Sequence, residues 1–281
     1  MERRSPIFAF FIYIAAVGLA VLVLAPMAWL FIMSISSTAD LTSKPLHWWP
    51  TEIDLSRYEL LTSMLENTPG QAFLAAMGNS VLIAGLATVL AVAVAIPAAW
   101  AVSRTPKIEW SLYAVVATYM LPPVALCVPL YGGLAYLGLL NSKLGLTMIY
   151  LSILAPFTTW ILKSSFDAIP QHYERAAMID GARLDQVFRI IFLPLAAPAI
   201  ATTCLFAFLM AWDEFFYALL FTSDLRAKTL TVAIADLAGG RIADYGLIAT
   251  AGVLAALPPV LVGLFLQRAI VSGLTSGGLK G

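Results

Sequence analysis

Two adjacent acidic residues, Asp213 and Glu214, interrupt an apolar stretch that extends over residues 195–221. Acidic side chains are costly at membrane depth, and those found there are usually functional. Their carboxylates could accept hydrogen bonds from the hydroxyl groups of a ligand. The rise from Leu195 to Asp213 is ~27 Å in an α-helix, which places both acids near one end of the stretch. A polar contact between helices at headgroup depth is the alternative interpretation.

Two aromatic residues, Phe208 and Trp212, precede these acids at helical spacing. Their rings could stack on the face of a ligand ring, but apolar residues that recur with the period of a helix more commonly pack against another helix. We therefore treat Phe208, Trp212, Asp213 and Glu214 as candidates for a substrate path, with helix packing as the alternative for the aromatic pair.

The other reactive residues form neither a catalytic nor a metal-binding pattern. Cys127 and Cys204 lie in apolar stretches, and their positions suggest no disulfide framework or metal site. His47 and His172 lack a second ligand at metal-binding spacing. The phosphate-binding pattern G-x-x-x-x-G-K-S/T does not occur. These residues therefore suggest no metal site and argue against a membrane enzyme.

The composition is that of a membrane protein. Of the 281 residues, 61% are hydrophobic and only 11% are charged, whereas soluble domains contain about 25% charged residues. Basic and acidic residues number 16 each, and no basic tract suggests a nucleic-acid partner. These features predict an all-α integral membrane protein whose surface is covered by the lipid bilayer.

Six stretches are long and apolar enough to cross the ~30 Å hydrocarbon core of a bilayer as helices. They cover residues 8–33, 76–102, 110–136, 144–162, 195–221 and 245–267. The first exceeds the ~7–15-residue core of a signal peptide, so we predict a retained helix. Pro122, Pro123 and Pro129 should bend the third span. Lys and Arg favour the N-terminal side of the membrane by 10 to 6, which predicts that both termini are cytoplasmic.

The segment between the fourth and fifth spans predicts two short helices joined by a sharp bend. Pro170 suits a first helical turn, Gln171 to Ile179 can be helical, and Gly181 supplies a left-handed residue that ends a helix. A second helix over residues 182–192 should end at Pro194. The small Ala176, Ala177 and Ala182 would let another protein approach the backbone closely. The alternative is an amphipathic segment lying on the membrane surface.

This segment resembles the EAA loop of permease subunits from ATP-binding-cassette (ABC) importers, in which E-A-A-x-x-x-G is followed about nine residues later by I-x-L-P. The matching residues are Glu174, Ala177, Asp180, Gly181, Ile191, Leu193 and Pro194, while Arg175 replaces the first alanine. Residues 208–215 resemble the F-x-x-x-W-N-E-F stretch of maltose-type carbohydrate permeases, with Asp213 in place of asparagine. Residues 273–281 resemble the G-L-T-x-G-x-x-K-G ending of the second permease subunit in that group.

The resemblance implies a type I ABC importer permease fold, with six transmembrane helices and a cytoplasmic coupling helix between the fourth and fifth. Residues 1–281 would form one transmembrane domain, with an N-terminal helix at 8–33, a core at about 76–268 and a cytoplasmic tail at 269–281. The coupling helix would dock on a cytoplasmic ATPase that hydrolyses the ATP, so this chain would have no catalytic residue, would bind no metal ion or cofactor and would not be an enzyme. The residues implied at that joint are Glu174, Ala176, Ala177, Ile179, Asp180, Gly181 and Ala182.

The resemblance also implies the partners. They are a second permease subunit, two ATPase subunits that use ATP and Mg, and an extracytoplasmic binding protein that delivers a carbohydrate to the inner membrane of a bacterial or archaeal cell. A secondary transporter or channel for a small polar solute is the alternative. It would require ionisable groups within the spans or inverted repeats, and apart from Asp213 and Glu214 the spans show neither.

Overall fold

The structure is a computed structural model that describes residues 6–239 and 244–277. Within these ranges the chain forms thirteen α-helices. They are α1 (Pro6–Ile35), α2 (Thr38–Thr42), α3 (Ser56–Thr62), α4 (Pro69–Arg104), α5 (Glu109–Val116), α6 (Pro123–Tyr136), α7 (Lys143–Asp167), α8 (His172–Ile179), α9 (Leu184–Gln186), α10 (Leu193–Trp212), α11 (Phe216–Phe221), α12 (Leu230–Ala238) and α13 (Tyr245–Gly277). A π-helical turn, Val187–Phe192, joins α9 to α10.

Five helical stretches are long and apolar enough to cross a membrane. A sixth span is formed by two shorter stretches, Pro106–Met120 and Pro123–Tyr136, that meet at an angle of 98°. The predicted all-α membrane fold with six spans is therefore confirmed. The sequence located the spans because a helix in lipid satisfies its own backbone hydrogen bonds, so that length and apolarity alone mark it.

Prolines bend the third span where it breaks, as predicted, but not at every predicted position. Leu121 and Pro122 adopt extended backbone between the two halves of the span. Pro123 occupies the first position of α6, where its missing amide donor is not needed. Pro129 lies inside α6, which continues through it. The bend therefore results from the Pro122–Pro123 pair.

The fifth span ends earlier than predicted. The continuous helix expected over residues 195–221 is wrong, because α10 ends at Trp212 and a separate short helix, α11, begins at Phe216. The carboxylate of Glu214 accepts hydrogen bonds from the amides of Tyr217 (2.9 Å) and Ala218 (3.1 Å) at the start of α11. A side chain that satisfies the free amides of a new helix stabilises the break.

The chain divides into two compact units, of which the first comprises Met1–Leu74 and Ile234–Ala256. In this unit the buried Arg57 bonds to the Ser36 carbonyl (2.6 Å), the Thr38 hydroxyl (2.8 Å) and the Asp244 carboxylate (3.1 Å). Gly246 packs directly against this guanidinium, because a Cβ atom there would lie 2.3 Å from the Arg57 Cζ. The guanidinium thus holds the end of α1 to α3 and to the start of α13.

A second polar cluster in the first unit surrounds Asp40. Its carboxylate accepts hydrogen bonds from the hydroxyl groups of Ser37 and Thr51, and it pairs with the His47 ring at 3.0 Å. The bonds from His47 and Thr51 hold the pKa of the Asp40 carboxyl well below its usual range. The cluster therefore fixes the segment that follows α1.

The second unit comprises Ala75–Ala233 and Leu257–Gly281. Its core at one end of α4, α7 and α10 combines alanines with larger apolar side chains, namely Ala95, Ala99, Leu162, Phe166, Phe192 and Ala196. The alanines allow the helices to approach closely, as is common between membrane helices. The rings of Phe166 and Phe192 pack edge to face at 4.8 Å. This core lies directly under the segment that connects α7 to α10.

Candidate functional site

The loop segment, residues 168–192, has at its centre the short helix α8 and a sharp turn. Gly181 has a φ angle of +87°, as expected for the residue that ends the first helix. The amide of Ala182 bonds to the carbonyl of Ala177 (2.9 Å), and the amide of Gly181 bonds to that of Met178 (3.1 Å). This pair of bonds is a Schellman motif, which closes the last turn of a helix. The predicted first helix and its glycine stop are confirmed.

The second half of the loop segment differs from the prediction. Helix α9 begins at Leu184, where the Gln186 side chain accepts a hydrogen bond from the Arg183 amide (2.8 Å). The chain then passes through the π-helical turn into α10 without a break, so the expectation that Pro194 ends this helix is wrong. Pro194 falls in the first turn of α10, where the wide π-helical turn before it accommodates the ring.

Apolar side chains cover the outer surface of the loop segment. Ile179 is 85% exposed, and Tyr173, Met178 and Leu184 are also exposed. Ala176, Asp180 and Gly181 lie on the same exposed turn, whereas Ala177 and Ala182 are half-buried. Apolar groups clustered on an otherwise polar loop indicate a binding surface for another molecule. We call Tyr173, Ala176, Met178, Ile179 and Leu184 the α8 surface.

Glu174 does not belong to the α8 surface. Its side chain is only 11% exposed, and it forms an ion pair with Arg104 at the end of α4, with 2.8 Å between the Arg104 Nε and the Glu174 Oε1. The sequence did not identify Arg104. An arginine just beyond an apolar span is the ordinary pattern of the positive-inside rule, and Glu174 lies 70 residues further along the chain.

A second group of charges lies beside this pair. The Lys163 ammonium bonds to the carboxylates of Glu109 (2.6 Å) and Asp167 (2.9 Å), and Asp167 also accepts a hydrogen bond from the Ser103 hydroxyl (2.6 Å). Together with the Arg104–Glu174 pair, these bonds connect the ends of α4, α5, α7 and α8. A charge network of this kind fixes the relative positions of the helix ends that it joins.

The four candidate residues of the substrate path divide into three kinds of environment. Phe208 and Trp212 are buried and stack on one another, with ring centroids 5.6 Å apart. The Glu214 carboxylate caps α11, and its backbone carbonyl accepts a hydrogen bond from the Thr231 hydroxyl (2.9 Å). Only the Asp213 side chain among the four is exposed. Asp213 is therefore the candidate that is available to a solute.

Metal coordination has no counterpart in the described part of the chain. Among residues 6–239 and 244–277, no three His, Cys, Asp or Glu side chains converge as metal ligands. Both cysteines are free thiols.

Comparison with known proteins places the chain in a family. Residues 91–276 match the family described as the binding-protein-dependent transport system inner membrane component. The chain belongs to this family and is a multi-pass inner-membrane transport component. The family membership displaces the alternative of a secondary transporter or channel.

Individual relatives match over nearly the whole chain. The trehalose/maltose transport system permease protein MalG of Thermococcus litoralis is 35% identical, covering 95% of each chain. The sulfoquinovosyl glycerol transport system permease protein SmoH of Agrobacterium fabrum is 36% identical, covering 96% of this chain and 93% of its own length.

A solved structure supports the fold. The crystal structure of a bacterial ABC transporter involved in the import of the acidic polysaccharide alginate superposes with a TM-score of 0.74. It covers 95% of this chain and 98% of that one, at 22% identity.

Proposed function

We propose that the chain is a permease subunit of an ATP-driven importer that moves a carbohydrate across the inner membrane. Two relatives that are more than a third identical are permeases of sugar or sugar-glycoside transport systems. The substrates in their names differ, so the proposal is limited to the class of carbohydrates, glycosides and related polyols. The family description supplies the requirement for a separate binding protein.

The observation that carries the mechanism is the α8 surface. It presents a large exposed isoleucine on a rigid turn, and the Schellman motif at Gly181 fixes the direction in which that side chain projects. We assign this surface as the docking site for a cytoplasmic ATPase. The joint comprises Glu174, Ala176, Ala177, Ile179, Asp180, Gly181 and Ala182, with Glu174 acting from beneath the surface.

The proposed transporter contains four further protein subunits around this chain. Two ATPase subunits would bind ATP and Mg and hydrolyse the ATP, while this chain contributes no catalytic group. A second permease would complete the path, and an extracytoplasmic binding protein would deliver the sugar. The most apolar part of α1 has no residue buried against the rest of this chain, so α1 offers a surface to lipid or to the second permease.

The proposed orientation places both termini and the α8 surface in the cytoplasm, as the distribution of Lys and Arg favours. Residues 269–281 would then form a cytoplasmic tail, of which residues 278–281 lie outside the described part of the chain. The exposed Asp213 would lie near the outer end of the fifth span, where its carboxylate could accept hydrogen bonds from sugar hydroxyls. The stacked Phe208 and Trp212 would support this region through packing.

The test is purification of the complex from its native membrane with a tag on this chain. We expect an ATPase and a second permease to co-purify, and hydrolysis to rise when a binding protein loaded with trehalose, maltose, a sulfoquinovosyl glycerol or an alginate oligosaccharide is added. Recovery of this chain without an ATPase would overturn the proposal.

A matched pair of variants tests the docking surface. Ile179→Asp places a charge on the α8 surface, and Met64→Asp makes a similar change at a side chain that is 84% exposed, outside the loop segment. We expect Ile179→Asp to lose the ATPase but keep the second permease, because burying an unpaired carboxylate in an apolar contact is costly. Met64→Asp should keep both. Retention of the ATPase by Ile179→Asp would place the docking site elsewhere.

A further inference from the structure

Arg104, the last residue of α4, contacts three other parts of the second unit. Its guanidinium bonds to the Glu174 carboxylate of α8 at 2.8 Å through Nε. It also donates to the carbonyls of Phe166 (3.3 Å) and Ile169 (3.4 Å) at the end of α7. On its other face it lies 5.4 Å from the centroid of the Phe192 ring in the π-helical turn. One side chain therefore joins α4, α7, α8 and the turn that leads into α10.

The geometry of these contacts requires an arginine. The guanidinium is planar, carries five donors in a fixed fork and stacks on aromatic rings, whereas a lysine ammonium is a compact point charge. Arg104 uses the fork on Glu174 and on the end of α7 while its face covers Phe192. Its side chain is 14% exposed and that of Glu174 is 11% exposed. A pair this well enclosed holds one geometry, because separating it would leave an uncompensated buried charge.

The buried position of Glu174 separates two tasks within the loop segment. The α8 surface, which includes the highly exposed Ile179, is available to a partner. The acid of the E-A-A pattern points the other way, toward the membrane helices. The loop segment thus has an outer face that can bind a partner and an inner face that is bound to the spans. Arg104 is the residue on which the inner face converges.

We propose that Arg104 is the positioning residue that transmits movement of α8 to the membrane helices. A displacement applied to the α8 surface would move Glu174, and through Arg104 it would move the ends of α4 and α7 and the π-helical turn before α10. The inference rests on the proposed function, in which an ATPase supplies that displacement. Arg104 takes no part in docking, since it lies behind the surface that docks.

The direct test measures whether α8 and the end of α4 move as one body. Spin labels are attached in the purified complex at Lys107→Cys, just beyond α4, and at Arg175→Cys on α8, both exposed positions, with Cys127 and Cys204 replaced by serine. In the labelled complex that keeps Arg104, we expect one narrow distribution of distances between the two spin labels, the same with and without ATP and vanadate. With Arg104→Met, the distance should broaden and shift when ATP is added. An unchanged narrow distance in that variant would overturn the proposal.

A functional measurement accompanies the distance. In proteoliposomes, Arg104→Met should keep its ATPase subunits, yet move fewer sugar molecules for each ATP hydrolysed. We expect a loss of about tenfold, within the range typical of coupling between sites. Arg226→Met is the matched control, because Arg226 is an exposed arginine that pairs with Asp224 in a different loop. Arg226→Met should leave the number of sugar molecules moved for each ATP hydrolysed unchanged.

Conservative variants keep the proposal testable if Arg104→Met does not assemble. Arg104→Lys retains the positive charge but not the planar set of donors of the guanidinium. Its distribution of distances between the spin labels, and its number of sugar molecules moved for each ATP hydrolysed, should therefore fall between those of wild type and Arg104→Met. Glu174→Gln removes the charge of the acceptor at almost the same shape. Its loss of coupling should not add to that of Arg104→Lys, since both act on one contact. Wild-type behaviour of Arg104→Lys, or fully additive losses, would refute the assignment.

The outcomes also separate this inference from the proposed function. If no ATPase co-purifies with the wild-type chain, the proposed function itself is wrong. If the ATPase co-purifies and Arg104→Met couples normally, the proposed function stands and only the role of Arg104 is withdrawn. If Glu174→Gln loses the ATPase while Arg104→Met retains it, Glu174 contacts the ATPase directly, and the role assigned to its pair with Arg104 fails.

Discussion

Asp213 and Glu214 have the same functional group and are neighbours in the chain, yet the structure gives them different surroundings. Both carboxylate oxygens of Glu214 accept hydrogen bonds from the amides of Tyr217 and Ala218, so this side chain stabilises the start of α11. Asp213 remains exposed just beyond the end of α10. The pair therefore separates a structural acid from one that is free to meet a solute.

This difference gives a prediction for alanine substitutions. Glu214→Ala should lower the melting temperature of the purified complex, because loss of a helix cap costs about 1 kcal/mol. Glu214→Gln, which keeps a carbonyl oxygen as acceptor, should cost less. Asp213→Ala should leave the melting temperature unchanged and reduce uptake at low sugar concentration. Unchanged uptake by Asp213→Ala across sugar concentrations would remove Asp213 from the substrate path.

At the scale of elements, the sequence predicted what depends on local rules. Hydropathy located the six spans, and Gly181 marked the end of α8 because a left-handed residue at that position favours glycine. The break after Trp212 was missed, since both halves of the stretch are apolar and only the capping bonds of Glu214 reveal it. The Arg104–Glu174 pair was missed because it joins residues 70 positions apart, and one sequence carries no record of such contacts.

The turn after α8 gives a prediction at the same scale. A Cβ atom at Gly181 would meet no neighbour within 4 Å, so the cost of Gly181→Ala is conformational and amounts to about 1–2 kcal/mol for a left-handed residue. Gly181→Asn should cost less, because asparagine tolerates that region better. Gly181→Pro fixes φ near −65° and removes the amide that bonds to Met178, so it should abolish sugar uptake while the chain still inserts.

The series is measured as uptake in cells with equal amounts of chain in the membrane fraction. We expect uptake to be highest in wild type, lower in Gly181→Asn, lower still in Gly181→Ala, and absent in Gly181→Pro. Normal uptake by Gly181→Pro would show that the bend in the loop segment plays no part in coupling. An Asn variant worse than Ala would show that the side chain, rather than the backbone angle, decides the effect.

At the scale of the whole molecule, the fold fixes which surfaces are exposed, but lipid and charge decide which side each one faces. The excess of basic residues predicts a cytoplasmic loop segment. Two exposed positions on opposite predicted sides, Ile179 and Met64, have almost equal exposed fractions of 85% and 84%. Their accessibility to a reagent in solution therefore compares the two sides directly.

The orientation is checked with single cysteines in a chain whose Cys127 and Cys204 are replaced and which is expressed without its ATPase, so that no docked subunit covers Ile179. A membrane-impermeant maleimide added to intact cells whose outer barrier is opened should label Met64→Cys at once. It should label Ile179→Cys only after the inner membrane is permeabilised. The reverse pattern would invert the proposed orientation and place the α8 surface out of reach of a cytoplasmic ATPase.

The contact between the buried Arg57 and the half-buried Asp244 also constrains when the protein can finish folding. The two residues are 187 positions apart, so the guanidinium is synthesised long before the carboxylate that neutralises it. During that interval the Arg57 guanidinium lacks the carboxylate that ties it to the start of α13. We therefore expect a polypeptide that stops short of Asp244 to be cleaved by proteases in the segment after α1 more readily than the full chain.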